Sequence, residues 1–166
     1  MNILGRLLGT KVAEVKEEVA TGVTKVQLLA ALASGKAQIN KLIDLSNEVA
    51  SSKFADLIAD VAFAMRAVYE DLEKDPRDLK VAEDFVVYHA PKAVEVIALY
   101  ANSEKNGGGT DEERDIAEKA MRQMKTSFEI LLAKCKENDD EGFAVQTETL
   151  RRILELETPT LKSSVS

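Results

Sequence analysis

Leu79-Lys-Val-Ala-Glu-Asp-Phe-Val-Val-Tyr-His-Ala-Pro91-Lys-Ala-Val-Glu-Val-Ile-Ala-Leu-Tyr-Ala-Asn102 is the stretch on which the reading of this chain turns. Val81, Phe85, Tyr88, Val96 and Leu99/Tyr100 recur at helical spacing on either side of Pro91, so the pattern is one kinked helix or two abutting ones. Proline lacks an amide donor and crowds the turn before it, which places a break near His89, the only histidine of the chain. Backbone groups released at a break need new partners, so such a place either turns a corner or hosts a site.

Upstream of it the periodicity is helical throughout. Leu4, Leu8, Val12, Val15 and Val19 make an amphipathic stripe over Ile3–Val19, weakened by Gly5 and Gly9. Val23–Ala33 is apolar and closes at Ser34-Gly35, a helix-ending pair. Lys36–Ala50 puts Ile39, Leu42, Ile43 and Val49 on one face, and Ser51-Ser52 offers a cap to the next helix. That helix, Lys53–Lys74, carries Leu57, Val61, Ala64, Val68 and Leu72 on one stripe until Asp75-Pro76 stops it.

Downstream, Asn102–Thr110 holds Gly107-Gly108-Gly109. A glycine loop before a helix can cradle phosphate, but no P-loop lysine follows and Asp111-Glu112-Glu113 repels anions, so it reads as a flexible connector. Thr110 and Glu113 form a capping box for a helix from Asp111 to about Lys136, in which Ala117, Met121, Met124, Phe128, Leu131 and Cys135 alternate at fours and threes. Such spacing predicts a helix nearly antiparallel to its neighbours. A last helix covers about Phe143–Glu157, ended by Thr158-Pro159.

The expectation is therefore an all-α fold: a helical bundle of about four to five main helices, one kinked at Pro91, preceded by an N-terminal amphipathic helix. Its divisions are 1–22 for that helix, 23–158 for the bundle and 159–166 for a flexible tail. The chain of 166 residues suits one bundle core, and a net charge of −7 without a basic segment argues against nucleic acid. One cysteine excludes an internal disulfide framework and points to a reducing cytoplasm, with the N-terminal stripe leaving the inner face of the membrane open as a location. No run reaches the roughly 20 apolar residues that span a bilayer. Residues 1–21 leave room for peripheral membrane contact, although Glu14, Glu17 and Glu18 offset the lysines there.

Several constellations carry potential chemistry. Glu137, Asp139, Glu141, Gly142 and Glu148 match positions one, three, five, six and twelve of a calcium loop, but Val145 brings no oxygen at position nine, so the acidic loop reads chiefly as an interhelical turn. His89 lies beside the break, yet Val86 and Ala93 stand where helical partner ligands belong. Cys135 continues the heptad and reads as buried, with Glu141 in place of a cysteine phosphatase's arginine. Asp56 and Asp60, one turn apart, are solvated carboxylates unless a third ligand joins them. No catalytic residue, metal set or cofactor is assigned. Tyr88, His89, Pro91 and Tyr100 are the candidate pocket, framing a groove for a partner helix.

The order Tyr88-x-x-Pro91, an apolar helix ending at Tyr100, a polar loop, and a long helix with Phe128 and Leu131-Leu132 resembles the XpaC-like family. That family is named for 5-bromo-4-chloroindolyl phosphate hydrolysis. The resemblance spans about residues 85–154, including Phe143–Leu154, and departs from the family's Tyr-Leu-Pro-Thr-Thr-Leu run at His89, Ala90, Lys92 and Ala93. The heptad surfaces and the lack of a catalytic constellation point to a noncatalytic helical interaction protein, and the resemblance implies a TelA-like toxic-anion (tellurite) resistance partner for it. The alternative that it implies is a phosphomonoester hydrolase, for which Tyr88, His89 and the Asp56/Asp60 pair are candidates. A homo-oligomer is compatible with either.

Overall fold

The computed structural model describes residues 17–157, with side chains described as far as residue 137. Four long helices dominate: α1 (Lys25–Ser46), α2 (Ser52–Lys74), α3 (Ala90–Lys105) and α4 (Asp111–Glu157). A small antiparallel hairpin, β1 (Glu18–Ala20) and β2 (Val23–Thr24), precedes them, with Gly22 in its turn at φ 72°. The all-α bundle is as expected. The stripe of Leu4, Leu8, Val12 and Val15 lies outside the described residues, but its last residue, Val19, stands in β1 and not in a helix. Gly22, in the left-handed region, lets the chain reverse there, and β-branched residues at 19, 23 and 24 favour the extended form.

Helix α1 corrects a second expectation, because it passes through Ser34-Gly35 without a break. Its buried residues, Leu28, Ala31, Gly35, Ile39, Leu42 and Leu45, form one uninterrupted stripe. Gly35 is a contact point within that stripe, since the ring of Tyr69 lies against it and the helix gains packing that offsets the glycine's poor propensity. Ile43, expected on the buried face, is exposed. The N-terminus is fixed by a capping box of Thr24 and Gln27, whose side chains and backbone amides bond reciprocally.

Helix α2 follows its reading closely. Ser51 caps it by accepting from the Phe54 amide, and Leu57, Val61, Ala64, Val68 and Leu72 are all buried. Asp75 ends it, and Pro76 starts a 3-10 turn, Pro76–Leu79, in which Asp75 accepts from the Arg77 amide.

The break before Pro91 is a π-helical turn, Phe85–His89, running directly into α3. The Ala90 amide bonds to the carbonyl of Phe85, five residues back. Pro91 has no amide to give and its ring presses on the preceding turn, so the helix widens by one residue before the proline. That extra residue shifts the helical phase. Ala90 enters the core, and Tyr88 turns outward to 67% exposure. The buried face of α3 is then Ala90, Ala93, Ile97, Tyr100 and Ala101.

Helix α2 packs on α1 and α4, while α3 packs on both α1 and α4, closing a ring around one core. The turn between α1 and α2 is tied to the end of α3: the Ala50 amide donates to Glu104, and Lys105 pairs with Glu48 at 2.7 Å. Aromatic contacts cross the core, with Phe54 edge-on to Tyr100 at 5.1 Å and Phe85 edge-on to Phe128 at 4.9 Å.

Helix α4 begins where the capping box of Thr110 and Glu113 places it. It does not end near Lys136. Its 47 residues run without interruption to Glu157, about 70 Å, against about 35 Å for the 23 residues of α2. The expected interhelical turn at 137–142 is absent, and the separate helix from Phe143 is the continuation of α4. Gly142 alone costs only about 1 kcal/mol in a helix, and no proline helps it to break one so long. Asp60 pairs with Lys125, and further along both helices Asp71 meets Cys135. The numbers rise together, so α4 runs parallel to α2. The predicted antiparallel course therefore fails for this pair. The buried heptad positions are Ala117, Met121, Phe128 and Cys135, with Met124 and Leu131 partly buried.

Candidate functional site

Hairpin β1–β2, the first half of α1 and the segment from Leu79 to the π turn meet around a groove of about 690 Å³. Val23, Ala30, Ala31, Leu79, Val86 and Val87 give it an apolar lining, and Gln27, Lys80 and Glu83 bring polar groups. On α1 the lining residues Gln27, Ala30, Ala31 and Ser34 share one face by their spacing. Leu79, Lys80, Glu83, Val86 and Val87, between the 3-10 turn and the π turn, line the opposite side. The widened turn that Pro91 enforces thus has a consequence for the surface. It brings Val86 and Val87 to the groove, and Val87 remains 52% exposed.

The residues singled out from sequence do not assemble into one pocket. Tyr88 and His89 are exposed on the π turn, and Pro91 is partly buried behind them. Tyr100 is 5% exposed, packed against Phe54, with its hydroxyl donating to Glu104 at 3.1 Å. Burial and the neighbouring Glu104 raise its pKa above the ordinary tyrosine value. Twelve positions of helix separate the two tyrosines, about 18 Å along the axis. Tyr88 and Tyr100 therefore act at different depths and different levels of the bundle.

Asp56 and Asp60 are both exposed on α2, and Asp60 holds Lys125 of α4 at 3.0 Å. Its charge serves to link two helices. In the glycine loop, Gly107 and Gly109 take positive φ, and the amides of Gly109 and Thr110 donate to Glu113 at 2.7 and 3.1 Å. The Ser103 hydroxyl adds a third bond, and together these donors hold the Glu113 carboxyl below its ordinary pKa. The protein's own carboxylate thus occupies the amides that a phosphate would have used. Of the acidic candidates Glu137, Asp139, Glu141 and Glu148, all lie on the continuous backbone of α4. A calcium loop folds twelve residues around one ion, which a straight helix cannot do.

A different set of ligating groups does come together. Asp71 in the last turns of α2, Asp78 in the 3-10 turn and Cys135 in α4 bring one ligand atom each to within 4.8 Å of one another. Sequence spacing gave no sign of this, because the three residues are joined only by the reversal at Pro76 and by the parallel course of α4. Among the described residues no helix is long and apolar enough to cross a membrane.

No curated protein and no solved structure matches the chain. A family model does, described as 5-bromo-4-chloroindolyl phosphate hydrolysis protein, over residues 3–148. The match begins far upstream of Phe85, where the resemblance in sequence started, so it takes in the groove, α1 and α2 as well as α3 and much of α4. With most of its length matched, this chain belongs to the XpaC-like family of 5-bromo-4-chloroindolyl phosphate hydrolysis proteins.

Proposed function

We propose that the chain is a noncatalytic helical interaction protein whose groove between α1 and the Leu79–Val87 segment receives an apolar helix of a protein partner. The partner we name is a TelA-like toxic-anion resistance protein, met in the cytoplasm or at the inner face of the membrane. The groove itself carries this reading. One face of α1, with lining residues at three-and-four spacing, and the Leu79–Val87 segment opposite it leave an apolar trough with Lys80 and Glu83 at polar positions. A partner helix with apolar anchors one turn apart fits such a trough. The test is calorimetric titration of the purified chain with the purified partner. A Val87→Glu variant that keeps its fold is expected to weaken binding at least tenfold, since it sets an unpaired charge against an apolar surface. Equal affinity for both would remove the groove from the interface.

The family's description favours a second reading, a phosphomonoester hydrolase with Tyr88, His89 and Asp56/Asp60 as its candidates. It is tested by hydrolysis of 5-bromo-4-chloroindolyl phosphate by the purified chain with Mg²⁺, Mn²⁺ or Zn²⁺ and with chelator. Saturable turnover that falls in His89→Ala supports the hydrolase. A rate equal to the buffer blank under every metal leaves the interaction reading alone.

A further inference from the structure

From the convergence of Asp71, Asp78 and Cys135 we infer a binding site for a zinc-class divalent cation that clamps α4 to the end of α2. The donors come from three separate elements, and their ligand atoms lie within 4.8 Å of one another. Zinc bonds of about 2.0 to 2.3 Å in tetrahedral array place donor atoms roughly 3.5 Å apart, so the three need to close by about an ångström. Rotation about side-chain bonds supplies that.

The burial is what separates this cluster from an ordinary acidic surface. Asp78 is 3% exposed and Cys135 is fully enclosed. Asp71 is partly buried, and its Oδ2 is shielded from solvent with no hydrogen-bond partner among the described residues. Leaving a carboxylate oxygen out of water without a partner is costly, and a cation at the focus of the three groups offsets that cost. Two carboxylate oxygens and one sulfur form a borderline donor set. It suits zinc better than magnesium or calcium, which take oxygen alone. On binding, the thiol proton passes to solvent as the metal–sulfur bond forms, and a water molecule completes the shell.

The position explains what such an ion is for. Cys135 is level with the final turns of α2, and beyond it the α4 backbone runs on for about 33 Å to Glu157. A metal joining Asp71, Asp78 and Cys135 anchors the long helix where it passes the end of its neighbour. The enclosure of Cys135 makes the site structural, with entry from the side of the partly exposed Asp71.

The full chain, stripped with chelator, should be titrated with Co²⁺ and, separately, with Zn²⁺. Cys135 is the only cysteine, so a thiolate-to-cobalt charge-transfer absorption in the near ultraviolet reports on this site alone. The expected result is one equivalent of metal with that absorption, and a melting temperature that rises with Zn²⁺ concentration. Cys135→Ala is expected to abolish the absorption, and Asp71→Asn and Asp78→Asn to weaken the affinity by about tenfold or more. Folded wild-type protein that shows no cobalt–thiolate absorption overturns the site, whatever the variants do. So does an absorption whose affinity is unchanged in both asparagine variants, because the thiol is then binding cobalt adventitiously.

Discussion

Tyr69 lies flat against Gly35: a Cβ placed on that glycine would stand 2.5 Å from the ring's Cζ. Helices α1 and α2 approach closely at this point, and the Tyr69 hydroxyl reaches on to Gln38 at 3.3 Å. On helix propensity alone, Gly35→Ala would stabilise α1 by about 1 kcal/mol. The ring is buried and held also by Phe85 at 5.2 Å, so the methyl group has to push the ring or α1 away. Overpacking of this kind costs about 1 to 3 kcal/mol, and the expected net result is destabilisation. Thermal and urea melts followed by circular dichroism decide it. A higher midpoint for Gly35→Ala would show that the ring yields freely.

Tyr69 also makes the fold sensitive to alkali. Burial pushes its pKa up to about 12, against 10 for an exposed tyrosine. The folded state holds the phenolic proton more tightly than the unfolded state, so this contribution is complete below pH 10 and is lost as pH rises towards 12. The slope in that window is roughly 1.4 kcal/mol per pH unit. Urea melts of the wild type and Tyr69→Phe between pH 9 and about 11 test it. The difference between the two proteins should shift in favour of the phenylalanine variant as pH rises, and a constant difference would contradict the shift.

Glu113 works in the opposite direction. Its carboxylate is held below the ordinary pKa by the Thr110 and Gly109 amides and the Ser103 hydroxyl. The stabilisation is present above the unfolded value of 4.5 and is lost as pH falls through the lower folded value. Glu113→Gln keeps the shape but removes the charge, so the start of α4 should loosen at neutral pH and lose its acid dependence. Hydrogen exchange at the Gly109 and Thr110 amides is the readout, expected to quicken in the variant. Unchanged exchange would mean that the turn is held by its glycines alone.

Sequence alone determined those features that rest on neighbours within a turn or two. The caps at Ser51 and Thr110, the stop at Asp75-Pro76, the core stripe of α2 and the disturbance before Pro91 all follow from local spacing and from groups that a helix end leaves unpaired. Family membership was legible too, in Tyr88, Pro91, Tyr100 and the long helix. What needed the tertiary structure were matters of balance. Gly35 reads as a helix end until Tyr69 packs on it, and Gly142 reads as a turn although α4 passes through it. One extra residue in the π turn rotated Tyr88 to the surface and Ala90 into the core, a phase change that periodicity cannot contain. The meeting of Asp71, Asp78 and Cys135 likewise depends on a chain reversal and a parallel helix pair. Contacts between residues distant in sequence are set by packing energies summed over the whole core, and no single stretch of the chain carries that sum.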